Sequence, residues 1–172
     1  MEDEILHFTA RLEDSNNRLW GFHVPVPDTI AQTFLSAGAK RVVCQLNGQM
    51  SFQCGLIPKG EGAYCIMVNK KLRTQLGLQA GGQVAVTLRK DNSAYGLPVP
   101  EEFEEVLRQD QEGREWFEAL SPGKKRNLLY LAAFVKDPER RISRAFVILE
   151  HLKSQQGSIN FKLLHAELKP GA

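Results

Sequence analysis

Two stretches of this chain follow one pattern, and that repetition limits the possible folds more than any other feature. Val24-Pro25 to Leu46 and Val68-Asn69 to Leu88 each read as strand, short amphipathic helix, glycine turn and strand. Ile30 and Phe34 hold the apolar positions that Leu72 and Leu76 hold in the second copy, and Gly38 and Gly81 each precede a β-branched strand. The copies are offset by 44 residues at Val24 and Val68 and by 42 at Val42 and Val84. A strand-helix-strand unit this short cannot cover its own apolar face, so the two copies are expected to interlock into a small barrel. Because both copies lie in one chain, the barrel needs no partner subunit, and a monomer is expected.

The rest of the first half fits this plan. Phe8, Ala10 and Leu12 alternate with polar residues as in a half-buried strand, a turn is expected at Asp14 to Asn17, and Trp20 and Phe22 open a second strand. Arg41 to Leu46, Asn47-Gly48 and Gln49 to Cys54 predict a hairpin with a two-residue type I′ turn, which sets Val43 opposite Phe52. A glycine-rich loop, Gly55 to Gly62, leads to a strand at Tyr64 to Val68, and a last strand runs from Gln83 to Arg89.

Beyond Pro98 the chain changes to charged, helix-period segments, which places a domain boundary near residue 96. Residues 1–96 are expected to form the β-barrel domain and residues 97–172 a helical region with an extended tail, an α+β chain overall. Phe103, Val106 and Leu107 mark one helix, and Trp116, Phe117 and Leu120 continue its apolar face. Ser121-Pro122 and Asp137-Pro138 each place an N-cap side chain before an N1 proline. Ile142, Phe146, Leu149 and Leu152 are expected to form the buried stripe of the last long helix, which stops near Gly157. The alternation of Ile159, Phe161 and Leu163 suggests an extended segment or edge strand.

Composition excludes several functional classes. With 172 residues, 42% of them hydrophobic and 24% charged, the chain is not a disordered polypeptide. Its net charge of +2 falls well short of the basicity that nonspecific phosphate binding demands. Residues 97–120 nevertheless hold 2 basic and 8 acidic groups, and residues 121–172 hold 10 basic and 4 acidic. Met1 to Leu6 shows neither a basic leader nor an apolar run, and no stretch approaches the roughly 18 apolar residues of a membrane helix, so a cytoplasmic protein without a membrane partner is expected. Cys44, Cys54 and Cys65 lack C-x-x-C spacing and read as reduced core thiols.

No residue set reads as catalytic. Gly55 to Gly62 has the glycines of a phosphate cradle, but no Lys-Ser/Thr follows, and a turn between strands accounts for it. Glu101, Glu102, Glu104 and Glu105 lie in a helix's first turns, where they favour the macrodipole and face water. His7, His23, His151 and His165 form no ligand cluster, so neither metal nor cofactor is expected, nor an enzyme. The candidate anion or partner contacts are Lys70, Lys71 and Arg73 on the second repeat's helix, near Lys40 and Arg41 in kind, and Arg140, Arg141 and Arg144 in the helical half. Pairing with the acidic segment 101–118 is expected to occupy most of the basic groups there.

These residues resemble a known pair of families. Trp20, Val24-Pro25, Ile30 to Leu35, Arg41-Val42, Gly60 to Tyr64 and Leu72 to Leu78 resemble the recurrent features of the bacterial Domain of Unknown Function 1905 family. Phe117 to Pro122 and the helix through Glu139, Arg141 and Arg144 resemble the bacteriocin-protection (YdeI or OmpD-associated) group, with Arg140-Arg141 where a Thr-Arg pair is expected and Ser143 before Arg144. The barrel implied by the first family is similar to the double-split barrel of the AbrB and MazE DNA-binding proteins; Asn69 stands for its usual proline and Gly82 for its usual aspartate. The resemblance implies a non-enzymatic binding or stress-response module for an unknown protein or anionic ligand, linked to tolerance of antimicrobial peptides or envelope stress. An AbrB-like DNA-binding regulator is the alternative, weakened by the small net charge and by the lack of aromatic residues among the basic ones.

Overall fold

The computed structural model describes residues 4–16 and 21–171. Trp20, and Asn17 of the expected turn, lie outside these. The chain separates into two compact units, Met1–Gly96 and Leu97–Ala172.

In the first unit the strands β1 (Ile5–Arg11), β2 (Glu13–Asp14), β3 (Phe22–Val26), β4 (Arg41–Leu46), β5 (Met50–Gly55), β6 (Ile57–Gly60), β7 (Ala63–Met67) and β8 (Gln83–Lys90) accompany helices α1 (Asp28–Ser36) and α2 (Lys70–Leu76). They form two four-stranded antiparallel sheets, β1-β8-β4-β5 and β2-β3-β7-β6. No closed barrel is formed among the described residues. Single buried corner residues explain this: Leu12 turns edge strand β1 into edge strand β2, and Leu56 turns β5 into β6. The sheets are thereby joined at both sides by chain rather than by a hydrogen-bonded ladder.

The two copies of the repeat interlock with matched register. His23 pairs with Met67, its own counterpart at the 44-residue offset, and Gln45 pairs with Thr87, its counterpart at the 42-residue offset. The repeat also extends further upstream than the sequence pattern suggests. The Leu12 N–H donates to the Gly82 carbonyl at 2.9 Å, and the corresponding Leu56 N–H donates to the Lys40 carbonyl at 2.9 Å. Each copy therefore comprises two leading strands as well as the strand-helix-strand unit. Val24, Val42, Cys44, Leu46, Ile66, Val84 and Leu88 are fully buried in the shared core. The three cysteines are free thiols.

Two local expectations are corrected. The hairpin joining β4 and β5 has a three-residue loop, so Phe52 faces Cys44, and Val43 faces Gln53. Asn47 and Gly48 do adopt positive φ, of 51° and 65°. Asn47, however, also bonds to Ala85 through its N–H at 2.8 Å and accepts from the Ala85 N–H through Oδ1 at 2.9 Å, which adds a rung to the β4–β8 pairing and moves the turn along by one residue. The expected loop Gly55 to Gly62 contains β6, and only Glu61 and Gly62 turn between strands.

The second unit is helical: α3 (Glu101–Gln109), α4 (Gln111–Glu118), α5 (Pro122–Ala133), α6 (Pro138–Ser154) and α7 (Phe161–Glu167). Phe103 and Phe117 pack with ring centroids 5.2 Å apart, and Ala145, Ile148, Leu149 and Leu152 form the buried face of α6. The expected stripe is therefore rotated. Ile142 is 40% exposed and Phe146 45% exposed. At about 100° per residue, the apolar arc of α6 from Ile148 to Phe146 spans about 160°, wider than its packing partners cover. The tail is a helix, not a strand, because Asn160 caps it by accepting from the Leu163 N–H at 3.1 Å. Ser121 precedes α5 as expected but makes no side-chain cap bond, whereas Asp137 Oδ1 accepts from the Glu139 N–H at 3.4 Å.

Candidate functional site

In the first unit, Lys70 and Lys71 occupy the first turn of α2 and are exposed. Arg73 is held within the fold: its Nη1 donates to the Val68 carbonyl at 2.8 Å, and its guanidinium lies 3.7 Å from the centre of the Phe22 ring. Arg41 likewise turns inward, donating from Nη2 to the Gly96 carbonyl at 2.6 Å. The Cys44 thiol is pushed far above its ordinary pKa by its hydrogen bond with Cys54 and by burial, so it is held protonated and is no nucleophile.

The helical unit separates Arg141 from the other two candidate arginines. Arg141 donates from Nε to the Val135 carbonyl at 2.7 Å and faces Glu102 at 3.7 Å. Arg140 and Arg144, one turn apart, line a cleft of about 280 Å³ with Ser143, Glu167 and Lys169. Arg144 Nη1 donates to the Leu131 carbonyl at 2.7 Å. The spacing of the two arginines is visible in the sequence, whereas Lys169 lies in the segment whose alternation suggests an extended tail.

A second cleft, of about 620 Å³, lies where α3 packs on α6. Glu101, Glu102, Glu104 and Glu105 line it together with Ile142 and Phe146. Glu102 faces Arg141, and Glu105 lies 2.6 Å from Arg108. Glu101 and Glu104 have no ion-pair partner among the described residues. The over-wide apolar arc of α6 is the sequence signal for this groove, although in the sequence alone the helix dipole accounts for the glutamates and core burial for the two apolar residues.

Several other polar groups of this unit have structural partners. His151 is buried, with Nδ1 2.7 Å from Glu167 Oε2, and its Nε2 accepts from the Asn160 N–H at 3.2 Å. Lys153 Nζ lies 2.6 Å from Asp110 Oδ2, and Lys125 Nζ lies 3.0 Å from Glu118. Among the described residues no three His, Cys, Asp or Glu side chains converge as metal ligands, and no helix is long and apolar enough to cross a membrane.

Fold and clefts together define an α+β protein in which a duplicated sheet unit precedes a helical unit carrying one acidic, apolar groove and one cationic cleft. Residues 8–88 match the model of the domain of unknown function DUF1905, residues 97–155 match that of the bacteriocin-protection, YdeI or OmpD-associated family, and the chain is a fusion of the two. No curated protein matches the chain.

Proposed function

We propose that this protein is a non-enzymatic binding module, linked to tolerance of antimicrobial peptides or envelope stress, whose helical unit binds cationic amphipathic peptide segments in the groove between α3 and α6. The observation that carries this is the pairing of an exposed apolar floor, Ile142 and Phe146, with a carboxylate rim in which Glu101 and Glu104 have no cation among the described residues. A peptide with one apolar and one basic face satisfies both at once: its apolar side chains cover Ile142 and Phe146 while its lysines meet the glutamates. The bacteriocin-protection match over residues 97–155 covers the groove and agrees with such a ligand. The protein is taken to act as a cytoplasmic monomer, since one chain supplies both copies of the repeat.

DNA is supported less well as a ligand. With Arg73 engaged on Phe22, α2 presents two exposed cations, Lys70 and Lys71, enough for only a few phosphate contacts.

Fluorescence anisotropy with a labelled Lys/Leu amphipathic peptide tests the proposal. Binding is expected to weaken as salt rises, and about tenfold in a Glu101→Lys/Glu104→Lys variant or in Phe146→Ser. Equal binding of a Glu/Leu peptide with the same apolar face would refute it.

A further inference from the structure

We infer that the cleft lined by Arg140, Arg144 and Lys169 is a binding site for a phosphoryl-type oxyanion, separate from the acidic groove. Arg140 and Ser143 present themselves from α6 beside Arg144, and Lys169 stands in the segment after α7 that forms the other wall. Among the described residues, three cationic residues and Ser143 thus line one small space with a single carboxylate, that of Glu167. Glu167 Oε2 lies 2.7 Å from His151 Nδ1, and its single negative charge leaves the cationic groups of the cleft in excess.

Among the described residues Arg140 has no ion-pair partner, and Arg144 is fixed by the neutral Leu131 carbonyl while its Nε is buried without an acceptor. Burial, and then the nearby charge of Arg140, lower the pKa of the Arg144 guanidinium from its ordinary value. Arg140 thus stands one turn from a partly buried guanidinium, and neither is paired with a carboxylate among the described residues, an arrangement that favours a bound anion. A cleft of about 280 Å³ admits a phosphate or the phosphoryl end of a larger molecule, and a dianion with several acceptor oxygens uses three cations better than a lone carboxylate does. Lys169 lies outside the residues matched by the bacteriocin-protection model, so one wall of the cleft comes from this chain's own C-terminal segment.

The test is calorimetric titration of the full chain with inorganic phosphate and, separately, with glycerol phosphate, at low ionic strength. Wild type is expected to bind with a dissociation constant of about 1 mM or lower, and Arg140→Ala and Lys169→Ala each to weaken it about tenfold. Both residues are exposed, so unchanged melting temperatures should accompany those losses. Tighter binding of the ester identifies a phosphorylated ligand, and tighter binding of inorganic phosphate identifies the free ion; either result supports the site. Absence of binding at about 50 mM phosphate, acetate binding as tight as phosphate, or undiminished affinity in the Arg140→Ala/Lys169→Ala double variant would overturn it.

Discussion

The guanidinium of Arg73 stacks 3.7 Å from the centre of the Phe22 ring and so ties the helix of the second repeat to β3 of the first. The same side chain donates to the Val68 carbonyl at 2.8 Å. Its charge is therefore used to join the two copies. Arg73→Ala is expected to cost about 1–2 kcal/mol in chemical denaturation, from the lost cation–π contact and hydrogen bond together. Lys70→Ala and Lys71→Ala, which remove exposed side chains, should each stay within about 0.5 kcal/mol of wild type. If Arg73→Ala proved as innocuous as the lysine variants, the stacking would have no structural weight.

Rotation of the α6 stripe gives a second contrast. Leu149 is fully buried and Phe146 is 45% exposed, although both hold apolar positions on the same helix. Leu149→Ala should destabilise the chain by about 2–5 kcal/mol, whereas Phe146→Ser should change stability by less than about 1 kcal/mol. Thermal melts of the two variants check this directly, and a large loss in Phe146→Ser would place that ring in the core.

Much of the fold was legible because the repeat is written in apolar positions that the core then uses. Val24 and Val42 align with Val68 and Val84, and burial makes their period visible. The leading strands of each copy were not legible as a repeat. Their correspondence rests on backbone bonds from Leu12 and Leu56 to Gly82 and Lys40, which no side-chain pattern records. The hairpin slip has a similar origin, since Asn47 suits a tight turn but is engaged by Ala85 on a strand distant in sequence. In the helical unit, Arg140 and Arg144 could be singled out by spacing alone. The groove could not, because whether Ile142 faces core or water depends on how far α3 reaches across α6. The tail misled because Ile159, Phe161 and Leu163 alternate, while the Asn160 cap that starts α7 is a single-residue signal.

The two glycines at opposite ends of this unit's middle helices should respond to alanine in opposite directions. Gly157 has φ of +83°, and a Cβ there would lie 2.9 Å from Trp116 Cε3, so Gly157→Ala meets both backbone strain and an aromatic ring. A loss of about 1–3 kcal/mol is expected. Gly123, in the first turn of α5, has nothing within 4 Å of such a Cβ, and Gly123→Ala should stabilise the chain by about 0.4–1 kcal/mol. Denaturation midpoints of the two variants moving in the same direction would contradict this geometry.

The contact between Asp110 and Lys153 makes the helical unit's stability depend on pH. Asp110 caps α4 by accepting from the Gly113 N–H at 2.8 Å and lies 2.6 Å from Lys153 Nζ. Burial alone would raise the carboxyl pKa, but the hydrogen bonds from Lys153 and Gly113 and the charge of Lys153 outweigh it and hold the group below its ordinary 3.8. The unfolded chain thus takes up this proton at a higher pH than the folded one. The stabilisation is complete above the unfolded value, near pH 4, and is lost as pH falls through the folded value. Asp110→Asn keeps an oxygen for the cap but removes the ion pair, so it should cost about 1 kcal/mol at pH 7. The gap between wild type and variant should then shrink steadily as urea denaturation is repeated from about pH 5 to about pH 2. A gap that stayed constant over that range would mean that the carboxylate's charge contributes nothing, leaving the cap as its whole role.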